Sequence, residues 1–351
     1  DLVFIGGGHT HSLVLRALAM RPIIGLRTTL ISPASHTPYS GMLPGLVAGH
    51  YTFAETHIDL ARLCQWAGVR FVAAEVTALD PAAQTVTVAG RPPIGYDLLS
   101  IDIGSQPELD PVPGAREYAT PVKPVAGFWQ RWQALLGELD RNPGPGEREI
   151  AVVGGGAGGV ELAMAFAHTL RRRPVRVQLY WSGPALLAEY HPRTRRTVET
   201  ALHELGVSMQ PDRRVQRVEA DYLHLEDGRQ ARYDQLFWCT GASAASWVAA
   251  SGLQTDERGF LAVHDTLQCV GDARVFGSGD IATQINHPRP KAGVYAVRQA
   301  PTLARNLRNR LLGRPLRNYR PQRRFLSLVS LGDRRAAADR GWFTASGAWV
   351  W

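Results

Sequence analysis

Three glycines at fixed spacing carry the first chemical reading. Gly154, Gly156 and Gly159 follow the apolar run Ile150 to Val153 and open an Ala- and Leu-rich stretch that ends in Arg171, Arg172, Arg173 and Pro174. The order predicts strand, turn and helix, with cations in the last helical turn and a proline beyond it. At GxGxxG spacing the first glycine makes the turn, the second admits a pyrophosphate to the backbone, and the third lets helix pack on strand. The unpaired N–H groups of the helix, here from Ala157 onward, then face the anion. A near copy opens the chain: Leu2 to Ile5, then Gly6, Gly7, Gly8, His9, Thr10 and His11, then an apolar helix to about Met20. Its third glycine position holds His11, which predicts looser packing of helix on strand or an imidazole that points away.

Other positions could complete such sites. An acidic residue commonly ends the second strand of this motif and holds ribose hydroxyls. Here the first copy has Ser32 and Pro33, and the second has Trp181, Ser182 and Gly183. A serine hydroxyl can still bond a ribose. Without the acid the case for NAD over NADP is weakened, and Arg193, Arg195 or Arg196 can receive a 2′-phosphate or simply be solvated helix-surface residues. The run Val275 to Gly277 delivers Gly279 and Asp280 ahead of a helix from about Ala292 to Leu312. An aspartate there can accept from sugar-like hydroxyls or serve as a plain N-cap. His36 to Gly45, with Ser40, Gly41, Met42, Leu43 and Pro44, reads as a loop that covers a flat ring or anchors itself by apolar residues. Tyr96 to Ser105 reads as a buried strand ending at Gly104, and Asp234 to Thr240 as a strand running into Gly241.

The elements that must position these residues fill a chain of 351 residues, 45% hydrophobic, with 35 glycines and a net charge of +8. That suits an α/β protein of two or three domains. The basic residues, mostly arginine, are dispersed, and no nucleic-acid motif with interleaved aromatics accompanies them. The cysteines Cys64, Cys239 and Cys269 form no close pair, which excludes a short-spaced dithiol or a metal knuckle. Such sparse use suits a reducing cytoplasm. No run reaches the ~18 apolar residues of a membrane span. A helix is expected over Phe53 to Gly68 and another around Phe128, Trp129, Trp132 and Leu135. Strands are expected at Arg27 to Ile31, Val69 to Ala73, Glu75 to Leu79, Thr85 to Val88, Val175 to Trp181 and Phe325 to Leu331. Thr120 to Pro124 reads as a linker, and Asn142 to Gly146 as a break. An N-terminus starting on a strand without Met, and a C-terminus ending on Trp351, suggest trimmed ends.

In their order these blocks resemble the FAD-dependent pyridine nucleotide-disulfide oxidoreductase superfamily, across nearly the whole chain. The carriers are Gly6-x-Gly8, Gly154-x-Gly156-x-x-Gly159, Thr240-Gly241 and Gly279-Asp280. Gly158-Gly159-Val160-Glu161-Leu162 looks like the type II NADH dehydrogenases and sulfide:quinone reductases. IGGGHTH, TPYSGMLPG, YDLLSIDIGS and PKAGVYAVRQAPTLARNLR look like the flavoproteins associated with selenide, water dikinase. The resemblance implies two Rossmann-like domains of the glutathione-reductase type, with an NAD(P)H domain (119–266) inserted into a discontinuous FAD domain (1–118 and 267–322). Residues 323–351 would form an interface segment, either a membrane-surface or dimer contact or an ordinary sheet edge. It implies FAD held by Gly6, Gly8, His9, Thr10, Ser32, Pro33, Ser40 to Pro44, Gly104, Gly279, Asp280, Lys291, Ala292 and Gly293. It implies NAD(P)H on Gly154, Gly156, Ala157, Gly159 and Gly241, with Glu161 and Lys123 near the reacting rings. The expected acceptor is a quinone or other small molecule. A selenium or sulfur species linked to selenophosphate synthesis, or a flavin-binding regulatory module with a degenerate nucleotide site, stands as the alternative. The protein is expected in the cytoplasm, with peripheral contact at the membrane's inner face. The cysteine pair of the disulfide reductases is missing, which argues against a redox-active disulfide.

Overall fold

The structure, a computed structural model, describes residues 1–141 and 146–351. The break expected at Asn142 to Gly146 therefore lies almost wholly outside the described residues. The chain divides into two compact units, each assembled from three segments. One comprises Asp1–Ser40, His57–Ser105 and Ala242–Arg323; the other comprises Gly41–Thr56, Gln106–Gly241 and Arg324–Trp351.

The first unit is built on a sheet of eight strands among the described residues. Their order is Ala282–Gln284, Leu261–Val263, Gln268–Cys269, Asp272–Gly277, Leu98–Ile101, Leu2–Ile5, Thr28–Ser32 and Arg70–Ala73. The last five run parallel to one another. Leu2, Val3, Phe4 and Ile5 are all buried, as are Leu98 to Ile101. Unbroken apolar runs are what a parallel strand covered on both faces requires. The helices His9–Met20 and Gly293–Leu311 belong to this unit and pack on each other. Because Leu2–Ile5 has Thr28–Ser32 on one side and Leu98–Ile101 on the other, successive connections leave its C-terminal end in opposite directions. Ligands of open α/β sheets bind at such a point.

The second unit repeats the plan with five parallel strands: Thr120–Pro121, Gln235–Trp238, Arg148–Val153, Val175–Tyr180 and Ser208–Gln210. The helix Ala157–Leu170 leaves the central strand. Eight of its nine buried residues, all but Gly159, pack in one core with Phe128, Trp132, Leu179, Phe237 and Val329. A hairpin around Asp221 pairs Val215–Val218 with Tyr222–Leu225.

Several expectations need correction. Phe53 to Gly68 is not one helix: Phe53–Thr56 and Leu60–Ala67 are helical, but His57–Asp59 pairs antiparallel with His36–Pro38. Backbone pairing there outweighs a helical period that the sequence suggested. His36 to Gly45 is not a loop, since it holds that strand, a 3-10 turn at Ser40–Met42 and the start of the helix Leu43–Val47. Thr120–Pro121, read as linker, is a short edge strand. The long middle segment of the second unit runs from Gln106 to Gly241, and residues 41–56 and 324–351 complete the unit.

Candidate functional site

In the second unit the glycine turn has the backbone and the space that its three expected roles require. Gly154 has φ +144°, which favours glycine. Gly156 caps the helix Ala157–Leu170 with φ −80°, and a Cβ on it would meet nothing within 4 Å. A Cβ on Gly159 would overlap the carbonyl oxygen of Gly154. The helix start has no side-chain cap and no acidic residue in its first turn. Its amides are therefore open to an anion beside exposed backbone at Gly156, so the residues present fit a nucleotide pyrophosphate. Gly241 has φ +67° and lies against Glu108, whose Cβ would be 2.6 Å from a Cβ on the glycine. The strand Val175–Tyr180 leads to the buried Trp181, and the amide of Gly183 donates to Asp212 Oδ1 at 3.3 Å. An acidic group thus does stand at this strand end. It comes from the neighbouring strand's loop, a register that the sequence alone does not display.

Glu161, in the first turns of the same helix, does not stand free. Its Oε1 accepts from the amide of Ser330 at 2.7 Å, in the strand Ser327–Ser330. Burial pushes the enclosed carboxyl up to about 8, against the pull of that hydrogen bond. At neutral pH the carboxyl is largely protonated. Lys123 is half-buried just before the helix Val125–Arg141. Leu43 and Pro44 are buried, Leu43 in this unit's core, while Gly41 is exposed and Met42 half-buried.

In the first unit the N-terminal turn has Gly6 at φ +87° and Gly8 as the cap of the helix His9–Met20. His11 neither loosens the packing nor points away. It is fully buried, edge-on to Phe4 at 4.8 Å. Nδ1 lies 2.6 Å from the Gly6 oxygen and Nε2 lies 2.8 Å from Ser100 Oγ. Because a carbonyl only accepts, Nδ1 carries the hydrogen and Nε2 accepts from Ser100. Burial holds this imidazole down to about 3, so it is neutral. The third-glycine position is thus filled by a side chain that joins two strands by hydrogen bonds.

Around this turn, Thr10 donates to the carbonyl of Ala296 at 2.8 Å and Ser32 to that of Ala34 at 3.0 Å, just before Pro33. His9 packs on Tyr39 at 4.9 Å. Gly104 has φ +76°, and Ser105 Oγ donates to Asp280 Oδ2 at 3.2 Å. The amide of Gly279 donates to Gln299 at 2.7 Å. The helix Gly293–Leu311 starts after Ala292 without a side-chain cap, and a Cβ on Gly293 would lie 3.7 Å from Ser40 Oγ. Lys291 turns its ammonium onto Ala282 O at 2.9 Å and Thr283 Oγ1 at 2.8 Å, over the Phe260 ring. Burial lowers its pKa to about 8. His9 Nε2, Ser278 Oγ and Tyr319 OH are buried with no partner among the described residues. Tyr96 OH and Gln322 Nε2 of this unit are likewise unpartnered, and such orphaned polar atoms with two uncapped helix starts are what a polyhydroxylated, phosphate-bearing group would satisfy. They fit a flavin dinucleotide.

Sequence reasoning missed Asp102. It follows the strand Leu98–Ile101, is 3% exposed, and its Oδ2 accepts from the amide of His11 at 3.1 Å. The signal was an acid inside the apolar stretch Leu98 to Ile103. The cysteines cannot serve as thiolates near neutral pH: burial pushes Cys64 to about 11 and Cys239 and Cys269 to about 12.

Comparison with known proteins gives the family and the fold. Residues 1–300 match the pyridine nucleotide-disulphide oxidoreductase family. An NADH dehydrogenase-like protein of Bacillus subtilis is 25% identical, covering 97% of this chain and 93% of its own. Demethylphylloquinone reductase of Synechocystis is 28% identical, covering 76% and 68% respectively. Among solved structures, NDH2 of Plasmodium falciparum in complex with NADH superposes with a TM-score of 0.85 at 15% identity. That match covers 99% of this chain and 91% of the other.

Proposed function

We propose, for a chain that belongs to the pyridine nucleotide-disulphide oxidoreductase family, an NADH dehydrogenase activity that ends on a quinone or similar small acceptor. Membership makes the protein an FAD-dependent oxidoreductase with NAD(P)H as co-substrate. When bound, FAD supplies the ring that takes a hydride from NAD(P)H and passes its electrons on. The rest is orientation and charge from the chain. The observation that carries the reading is the second glycine turn, complete and open at Gly156 before an uncapped helix.

The first turn, with Gly6, Gly8, His9 and Thr10, would hold the FAD pyrophosphate, and Asp280 a ribitol hydroxyl. Ser32 and Pro33 would lie by the adenosine. Gly104, Gly279, Ala292 and Gly293 would offer backbone, the last two at a helix start that stabilises negative charge. Ser40, Gly41 and Met42 would border the ring. Leu43 and Pro44, being buried, would support that border from within the core, and Lys291 would brace the turn before the helix. NADH would take Gly154, Gly156, Ala157, Gly159 and Gly241. Asp212 favours it over NADPH, because a carboxylate at this strand end repels a 2′-phosphate. Glu161, held protonated by its surroundings, can supply the proton that a quinone needs besides a hydride equivalent; Lys123 adds a cation.

The quinone is supported by what the Synechocystis relative is named for. Peripheral membrane contact is supported by exposed Leu326, Leu328, Trp342 and Phe343 beside Arg323, Arg324 and Arg340. Aromatic and arginine side chains together suit an anionic lipid interface. No helix among the described residues is long and apolar enough to cross a membrane. The motif resemblance to proteins associated with selenide, water dikinase motivates a selenium oxyanion as the second acceptor to try.

The test is anaerobic mixing of the purified, FAD-loaded protein with NADH or NADPH while flavin absorbance is followed. Bleaching by NADH, faster than by NADPH, is expected. No bleaching with either nucleotide overturns the dehydrogenase and leaves a flavin-binding regulatory module. Quinone and selenite, added in turn to the bleached protein, identify the acceptor by the return of colour.

A further inference from the structure

We infer that Asp102 ties cofactor affinity at the first glycine turn to proton uptake, the dinucleotide binding to protein in which this carboxyl carries a proton. The inference rests on the proposed seating of FAD at Gly6 and Gly8.

The geometry begins with the glycines. A Cβ on Gly8 would overlap the Asp102 carboxyl, one on Gly279 would overlap its Oδ1, and one on Gly6 would overlap its backbone oxygen. Glycines from two motifs about 270 residues apart in sequence thus enclose one acid. In the second unit the corresponding glycine, Gly156, faces open space. The second glycine of the first turn therefore makes room for a side chain of the protein itself. The backbone that carries it is anchored on both sides: the Asp102 amide donates to Ile5 O at 2.8 Å and its carbonyl accepts from the Gly8 amide at 3.1 Å.

The electrostatics follow. Asp102 Oδ2 takes the amide of His11, in the first turn of the helix His9–Met20. These are the amides, and the positive end of the helix, that a pyrophosphate would use. Two anions cannot share that field without repulsion. A proton on the carboxyl removes the conflict while one oxygen still accepts from His11. The titratable groups facing it are His9 and His11 from the helix and Asp280 from the turn after Asp272–Gly277. His11 is neutral, burial lowers His9, and Asp280 raises Asp102 further. The helix Gly293–Leu311 meets the Gly279 turn through the neutral Gln299. Burial, the largest cause, holds Asp102 up to about 7, and a bound anion raises it well beyond that, so the proton stays on the carboxyl above neutral pH.

FAD is titrated into the apoprotein between about pH 5 and 9, following flavin fluorescence, with calorimetry in two buffers of different ionisation enthalpy. Kd should be level below about pH 6.5 and rise above about 7 by up to roughly tenfold per pH unit, the limit for one linked proton. The calorimetric uptake should approach one proton in that range. Asp102→Asn should flatten the profile and abolish the uptake, because its amide oxygen still accepts from His11 but carries no charge. A level wild-type profile overturns the inference, as does an unaltered slope in Asp102→Asn, which would assign the proton to another group. A slope confined below about pH 6.5 would point to His9 and also overturns it. Should Asp102→Asn fail to fold, infrared difference spectra of the wild type at about pH 8 decide instead. A protonated carboxylic acid band must appear on adding FAD, and its absence overturns the inference. Failure to bind FAD at any pH overturns the seating itself, a result distinct from pH-independent binding.

Discussion

Glu161 is held by a single backbone donor, the amide of Ser330, in surroundings that favour its neutral form. Its folded-state pKa of about 8 lies above the value near 4 of an unfolded chain. The folded protein therefore binds the extra proton, and stability falls as pH rises from about 4 through 8, by up to ~1.4 kcal/mol per unit. Glu161→Gln should lose this slope and melt above the wild type at about pH 8.5; thermal denaturation across that range checks it. Gly156→Glu should leave Tm within a degree or two and FAD bound, yet abolish bleaching by NADH, since its side chain enters space left for the nucleotide. Gly159→Ala should cost about 1–3 kcal/mol by overpacking against Gly154. Asp212→Asn should narrow the preference for NADH over NADPH roughly tenfold in reduction rate, the order of magnitude that follows when one like-charge repulsion is removed. The glycines at 154 and 159 were legible because each carries a demand of conformation or packing that no other residue meets, and Gly156 because of its spacing from them. His11, Asp102 and Asp212 were not, because their roles depend on partners about 90, 95 and 30 residues away, brought near only by sheet order.

At the scale of elements, the strands with unbroken apolar runs and the helices leaving glycine turns could be read directly. Parallel strands buried on both faces and helices with strong start signals leave little choice. The stretch from His36 to Asp59 could not. Its short strand, turn and helix are stabilised by pairing at His36–Pro38 with His57–Asp59 and by burial of Leu43 to Val47, neither of which has a local period. The three-stranded sheet at the end of the chain shows the same limit, since only its first strand was expected. Its core side puts Val329 and Ala337 among the buried residues of the second unit, while its far turn exposes Trp342 at 84%. Trp342→Ser with Phe343→Ser should abolish sedimentation with vesicles of anionic phospholipid and leave NADH bleaching unchanged. Retained sedimentation removes the proposed membrane contact, and a change in solution mass in the variant assigns the tip to a second copy of the chain.

At the scale of the molecule, each unit is closed by segments remote in sequence. Removing residues 324–351 would take Val329, Leu331 and Ala337 from a core shared with Phe166 and Leu202 and strip Glu161 of its donor. Truncation after Arg323 should therefore destabilise the second unit by several kcal/mol, read from its denaturant midpoint, in line with losing three buried apolar side chains and one buried hydrogen bond. Fluorescence of Trp129 and Trp132 within that unit provides the probe.

The passage of the chain from one unit to the other after Ser40, Thr56, Ser105, Gly241 and Arg323 has a consequence for how the protein comes into being. On the ribosome, the eight-stranded sheet of the first unit cannot be completed by the segment that begins it, whereas the five strands of the second all lie within Gln106–Gly241. The strand Leu2–Ile5 must wait for Asp272–Gly277 to take its place beyond Leu98–Ile101. The helix carrying Glu161 must wait for Ser330. The first nucleotide site is thus finished only once the helix from Gly293 has emerged, and Glu161 gains its donor later still, so a partly synthesised chain offers FAD no completed seat.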